Sequence, residues 1–470
     1  MKYQQNHVTL RAALLSLVLL PTATAIAADA KPPASPWRLQ SALALPDWLT
    51  LSVQHRMRYE SIDGQFRSGG SGGDQGLASR TFVAAEARKG AWRAGAEMLD
   101  ARLMLDDGGT PLDTSQVNSA ELLQAYLGWR IEAPSAAVRT SAVTVGRQTI
   151  DFGGRRLLAR SAFRNTINGF TGVDWQMAGT AGWESRALAV MPVVRRPDGR
   201  RDLARDVSGF DEEDSGSVLW LTALRSRPLA GGARVEGYVV GFHESDERFA
   251  TRNRRIYTPG VRWWREPSAG HFDFEWESML QFGEVRATNA ATDQRDLDHF
   301  AHLQHAQFGY SFIAPWSPRV LAQFDYASGD EDPNDGDSGR FDSLFSARRF
   351  EFGPTGLWGA FARANLISAG ARVIAKPTKA LQLTLAHRGY WLAEQRDAWV
   401  AAGVRDRSGQ SGSFIGQQLE WNAIWTVLPG NLALEVGGAW LANGEFIDDA
   451  PQASGNGDST YLYTQIQVSF

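Results

Sequence analysis

Arginine is the residue whose type and placement most invite a chemical reading of this chain. Only Lys2, Lys31, Lys89, Lys376 and Lys379 are lysines among 48 basic Lys and Arg side chains. A guanidinium is planar, permanently charged, and offers a fork of donors that matches a carboxylate or phosphate. Several arginines and carboxylates alternate with apolar residues. Arg56, Arg58 and Glu60 share one face of Leu49 to Glu60, opposite Leu51, Val53, Met57 and Tyr59. Glu275 and Glu277 oppose Phe272, Phe274 and Trp276, and Glu420 opposes Leu419 and Trp421. Rings of such cations lower the cost of moving an anion across a membrane, provided that binding stays weak enough for release. In a water-filled passage each contact is worth about 1 kcal/mol or less, which suits many sites in series.

Other chemistries are weaker in the sequence. Asp330, Asp332, Asp335 and Asp337 offer oxygen ligands for calcium but lack EF-hand spacing, so a solvated loop is the plainer reading. His299, His302 and His305 have helical metal spacing, yet on a strand His302 would face away from the other two. Gly69-Gly-Ser-Gly-Gly73 matches G-x-S-x-G, but it lies in a Gly/Ser stretch with no helix pattern after it, so a hydrolase elbow is not expected. No cofactor motif stands out. The formal charge of -4 argues against nucleic acid as a partner.

The elements that must position these side chains read as long β-strands. Alternation at period two recurs from Leu49 to the C-terminus, with aromatic apolar faces and charged polar faces, the pattern of strands with lipid outside and water inside. Seventeen tryptophans suit the interfacial girdles of such a barrel. The longest apolar run, Ala12 to Leu20, is too short for the roughly 20 residues of a spanning helix. It follows Lys2 and Arg11 and precedes Ala25-Ile26-Ala27, so residues 1–27 read as a signal peptide, cleaved near Ala27/Ala28 or after Ala30. Residues 28–47 then form a periplasmic segment and 48–470 a single antiparallel up-and-down transmembrane barrel. The remaining ~440 residues give about 16 to 18 strands at two dozen residues per strand and connection. Long Gly/Asp-rich connections are expected at Gly64–Gly76, Val194–Val218, Gly283–Leu297, Asp330–Phe345 and Asn443–Ser459, and tight turns near Gly90, Pro228–Gly232 and Pro429–Asn431. The last strand ends on Phe470, like the C-terminal signal read by the barrel-insertion machinery, and should pair with the strand carrying Arg56 to Glu60.

Several stretches, in order, resemble the alginate-export family of outer-membrane barrels. They include Arg56-Met-Arg-Tyr-Glu60, Glu97-Met-Leu-Asp100-Ala-Arg102, Gln124-Ala-Tyr126, Gly146-Arg-Gln148, Phe152-Gly-Gly-Arg-Arg-Leu157 and Arg164-Asn-Thr166. Tyr326-Ala-Ser-Gly-Asp330 and Arg349-Phe-Glu-Phe-Gly-Pro-Thr-Gly356, continuing to Arg363-Ala-Asn365, are the most distinctive. The resemblance implies an 18-stranded, monomeric barrel in lipid and lipopolysaccharide, with an arginine-rich, anion-selective pore. It implies passage of an anionic polysaccharide or acidic sugar, with possible periplasmic secretion partners. Alginate-like polyuronate export comes first, uptake of small acidic solutes second, and a barrel enzyme is remote. The pore-lining set, taken from polar strand faces and these motifs, is Arg56, Arg58, Glu60, Arg80, Glu97, Arg102, Gln124, Arg147, Gln148, Arg156, Arg262, Glu277, Arg363, Arg388 and Glu420. Two positions depart from the family pattern: Gly154 and Thr171 stand where an acidic residue is expected.

Overall fold

The computed structural model describes residues 36–107, 110–133 and 135–470. The signal peptide and residues 28–35 of the expected periplasmic segment lie outside the described residues. The strands are β1 (Leu49–Asp63), β2 (Asp74–Lys89), β3 (Trp92–Met104), β4 (Asn118–Glu132), β5 (Val138–Gln148), β6 (Phe170–Gly179), β7 (Glu184–Val194), β8 (Glu212–Glu213), β9 (Val218–Arg225) and β10 (Arg234–His243). They continue as β11 (Arg255–Arg265), β12 (Phe272–Arg286), β13 (Asp296–Ser311), β14 (Arg319–Ala327), β15 (Asp337–Ser338), β16 (Leu366–Ala375), β17 (Leu381–Trp391), β18 (Phe414–Leu428), β19 (Leu432–Asn443) and β20 (Ser459–Ser469). The two-residue strands β8 and β15 decorate loops, and the other eighteen form the wall, each antiparallel to the next. β1 pairs with β20 from Gln54↔Ser469 to Asp63↔Thr460, so the seam lies where the terminal strands were expected to meet. Closure leaves no wall strand with an unpaired edge. Among the described residues no helix is long and apolar enough to cross a membrane; the strands make the crossing. Four short helical turns, α1 (Leu39–Ala42), α2 (Arg200–Leu203), α3 (Arg349–Phe352) and α4 (Glu445–Asp449), lie outside the wall strands.

The alternation sets the two faces. On β12, Phe272, Trp276, Leu280 and Phe282 are exposed on the outside, while Asp273, Glu277 and Gln281 are buried on the inside. On β1, Arg56, Arg58 and Glu60 point inward and Tyr59 outward. Short connections such as 90–91, 180–183 and 429–431 lie at the rim that carries both chain ends, and long ones at the other. That assigns the first rim to the periplasm and the second to the cell exterior. At the periplasmic rim Asn431 brackets the Trp37 main chain, accepting from its N–H at 2.8 Å and donating to its carbonyl at 2.8 Å. The Trp37 ring meets Phe470 edge-on at 5.0 Å.

One expectation needs correction. A barrel this wide was expected to hold water, yet the extracellular half of the lumen is filled with protein. The connections 64–73, 328–365, 392–413 and 444–458 send Phe66, Trp358, Phe361, Trp399 and Phe446 inward, where they pack with Tyr390, Ile415, Tyr461 and Tyr463 of the wall. On the other side Ile150, Phe152, Leu157 and Leu158 of the 149–169 connection pack against Leu188, Val190, Leu221, Tyr238 and Phe242. These wall strands are therefore apolar on both faces. Removing this surface from water contributes on the order of 25 cal/mol per Å² and holds the loops inside.

A partitioned lumen and its arginines

The 149–169 and 328–365 loops meet inside the barrel. The Phe345 N–H donates to the Leu157 carbonyl at 2.9 Å, and the Ala159 N–H donates back to the Phe345 carbonyl at 3.1 Å. The Phe345 ring packs edge-on against Phe170 and Phe242, at 5.0 and 5.7 Å. The two loops thus form one partition across the lumen, held by ridges of main-chain and aromatic contact.

Thirteen of the fifteen expected pore residues belong to this interior. Their roles divide by sector. On β1 and β2, arginines hold the partition by its main chain. Arg56 donates to the carbonyls of Ala162 and Phe163, both at 2.9 Å. Arg58 donates to the Phe163 carbonyl at 2.6 Å and lies over the Phe163 ring at 3.9 Å. Arg80 reaches the carbonyls of Ala162 and Arg164 at 3.0 and 2.8 Å. Glu60 pairs with Arg58 and accepts from the Leu357 N–H at 2.9 Å, so it engages the second loop. Glu97 binds Arg160 of the first loop at 2.8 Å and accepts from Gln124, whose own oxygen accepts from the Thr149 N–H at 3.0 Å. Gln148 is buried at the end of β5.

Across the lumen the contacts are ion pairs. Arg156 meets Glu275 at 2.6 Å, Glu277, and Glu351 at 3.0 Å. Arg262 shares Glu275 at 2.8 Å, and Tyr238 donates to Glu277 at 2.6 Å. Arg363 pairs with Glu351 at 2.7 Å, and Arg388 with Asp325 at 2.6 Å. Glu420 pairs with Arg349 and lies 3.7 Å from Arg372. A bare buried charge costs several kcal/mol, so these pairs fix the loops by making any other arrangement expensive.

Arg102 and Arg147 are not in the lumen. Arg102 shares its strand face with the exposed Met98 and Met104, and binds Asp100 at 3.0 Å and Asp206 at 3.7 Å. Arg147 shares its face with the exposed Val145 and binds Glu121 at 2.6 Å and Glu213 at 2.7 Å. Both lie near the extracellular rim, where polar side chains on the outer face reach loop carboxylates instead of lipid.

The remaining sequence candidates find ordinary places. Asp332 accepts from the Asn334 N–H at 3.1 Å and Asp335 from the Asp337 N–H at 2.8 Å, as turn caps. Asp330 lies 3.4 Å from the Gly339 N–H. Among the described residues no cluster of His, Asp and Glu is arranged to hold a metal. His305 pairs with Asp325 at 2.7 Å, whereas His302 stacks on Tyr326 at 4.9 Å. Gly154 has a physical reason: a Cβ there would lie 2.0 Å from Arg156 Nη1 and 2.7 Å from Glu277 Oε2. Thr171 donates to Glu213 at 3.0 Å, where an aspartate would face a carboxylate.

Four further arginines matter that strand alternation did not reveal, because all lie in loops. Arg67, Arg164, Arg195 and Arg348 are each half-buried. Among the described residues none has a carboxylate within ion-pair distance. Their donors go to the carbonyls of Trp358 (Arg67), Thr166 (Arg164), Ile167 (Arg195) and Phe361 (Arg348), and to the Gln65 and Asn168 amide oxygens. Burial pulls all four below the usual guanidinium range, Arg195 to about 9 and Arg348 to about 10, and Arg164 adds like-charge repulsion to both. The motif Arg164-Asn-Thr166 was the one sequence signal for any of them.

Comparison with known proteins agrees with this architecture. No curated relative matches the chain. Among solved structures, the outer membrane protein OpdK from Pseudomonas aeruginosa is 12% identical with a TM-score of 0.57, covering 90% of this chain and 99% of its own. OprD from the same organism is 11% identical with a TM-score of 0.55, covering 90% and 94%. OccAB2 from Acinetobacter baumannii is 11% identical with a TM-score of 0.56, covering 90% and 98%. At such identity these likenesses speak for the fold, an outer-membrane barrel. The alginate-export pattern matches residues 47–459, and the chain belongs to that family of outer-membrane channels.

Proposed function

We propose that this barrel passes an anionic saccharide, foremost an alginate-like polyuronate on its way out of the cell, along a path flanked by Arg67, Arg164, Arg195 and Arg348. The observation that carries the reading is the way these four are satisfied. A carbonyl accepts a guanidinium hydrogen bond without cancelling its charge, so these four side chains stay cationic in a half-buried setting where screening is weaker than in open water. A uronate carboxylate matches a guanidinium in shape and charge. Family membership supports the same cargo.

Uptake of small acidic solutes is the second reading. One feature favours it: the aromatic packing around Trp358 and Trp399 leaves the extracellular half narrow. Both readings need an anion-selective lumen. In planar bilayers under a salt gradient, the wild-type barrel is expected to favour anions, and Arg164→Gln with Arg348→Gln should move the reversal potential toward zero. An unchanged potential would overturn the assignment. Block by oligomannuronate at low concentration supports export of that polymer, and block only by monomers supports uptake.

A further inference from the structure

The 328–365 loop carries six aromatic side chains, and Phe350 alone is exposed. Phe341, Phe352, Trp358 and Phe361 are at most 2% exposed, whereas Phe350 is 45% exposed. It faces neither lipid nor the loop core. Its ring lines a cavity of 640 Å³ beneath the partition, within the range of about 300–1,000 Å³ typical of ligand pockets. Gln382 and Thr384, near the start of β17, and Gln465 and Gln467, near the end of β20, also line it, so the cavity lies toward the periplasmic mouth.

The ring's direction is imposed by its neighbours. Arg349 is tied to Glu420 and Tyr463, and Glu351 is held by Arg156 and Arg363, so α3 cannot rotate to hide Phe350 without breaking buried ion pairs. Arg372 lies over one face of the ring at 4.4 Å. It lines the same cavity with Glu420, which stands 3.7 Å from its Nη2, and among the described residues no hydrogen bond ties its guanidinium. Ile374 and Ile424 add apolar wall to the same cavity. A fixed aromatic ring, apolar flanks and a guanidinium in the cavity wall form an amphipathic cradle. A pyranose acid is amphipathic in the same way, with a C–H face and a carboxylate edge.

We propose that Phe350 and Arg372 form a uronate subsite at the periplasmic mouth, where one sugar ring lies against Phe350 with its carboxylate turned to Arg372. The proposal rests on the reading of the lumen as a path for anionic saccharide. It makes the periplasmic side the side of capture, with Phe350 setting affinity for the sugar ring and the loop arginines setting charge selectivity.

The test is oligomannuronate block of the intact barrel in planar bilayers, with the blocker added on the side of the short turns. Phe350→Ala and Phe350→Leu should each weaken block about tenfold, Phe350→Trp should keep it, and the reversal potential should stay at the wild-type value in all three. The leucine variant keeps apolar bulk, so it separates loss of the ring from a packing defect. If wild type is blocked and Phe350→Leu is blocked equally, the subsite is overturned while the anionic-saccharide reading stands. If wild type is blocked by no oligouronate from either side, both fall.

Discussion

The two sides of the lumen use the same residue in opposite ways. Toward β11 to β18 the arginines are met by close carboxylates: Arg156 of the 149–169 loop by Glu275, Glu277 and Glu351, Arg262 by Glu275, Arg388 by Asp325. On the side of β1 and β2, Arg58 and Arg160 pair with Glu60 and Glu97, but Arg56, Arg80, Arg164, Arg195 and Arg348 are met by carbonyl and amide oxygens. Both arrangements give the guanidinium oxygen partners. Only the first neutralises the charge. Arginines of both kinds hold the partition, and those bound to carbonyls keep their charge. Counting arginines would therefore have overestimated the charge of the path; the acceptor type decides it.

The sharpest way to break the paired side is Glu351→Ala, which strips Arg363 of its carboxylate and Arg156 of one of three. A loss of about 3–5 kcal/mol is expected in denaturant unfolding, with larger single-channel conductance as the partition loosens. Wild-type stability would mean that the ion pairs do not hold the loops. Next in size is Gly154→Ala. Its methyl would sit 2.0 Å from Arg156 Nη1, forcing that side chain aside at a cost of about 1–3 kcal/mol, again by denaturant unfolding. The smallest effect sharpens the other half of the comparison. Arg102→Ala should cost no more than about 1 kcal/mol and leave the reversal potential unchanged, because that cation lies on the outer face among Asp100 and Asp206. A shifted potential would return Arg102 to the conduction path.

Much of this was legible in the residues. Strict alternation on β1, β12 and β18 announced the wall and its faces, and the terminal strands pair at the seam as Arg56↔Gln467. Even the misplacement of Arg102 had a signal, since period-two parity puts it with Met98 and Met104. Near a rim, where lipid ends, parity rather than polarity marks the face a side chain takes. The partition itself was not legible. Ile150, Phe152, Leu157 and Leu158 have no period to mark them as an inward loop, and their partners come from strands far along the chain. Nor can a sequence tell a neutralised arginine from one bound to a carbonyl, because the distinction depends on what a distant segment brings opposite it.

The hold of Arg56, Arg58 and Arg80 on residues 162–164 is made to main-chain oxygens. Every amino acid supplies that oxygen. Apart from the Phe163 ring beneath Arg58, the anchorage is therefore indifferent to the side chains it anchors, and Arg164 in particular can be exchanged without removing an acceptor from the grip. Presentation and content are separable in this loop. A lineage can rewrite the side chain at position 164 while the frame that displays it stays in register.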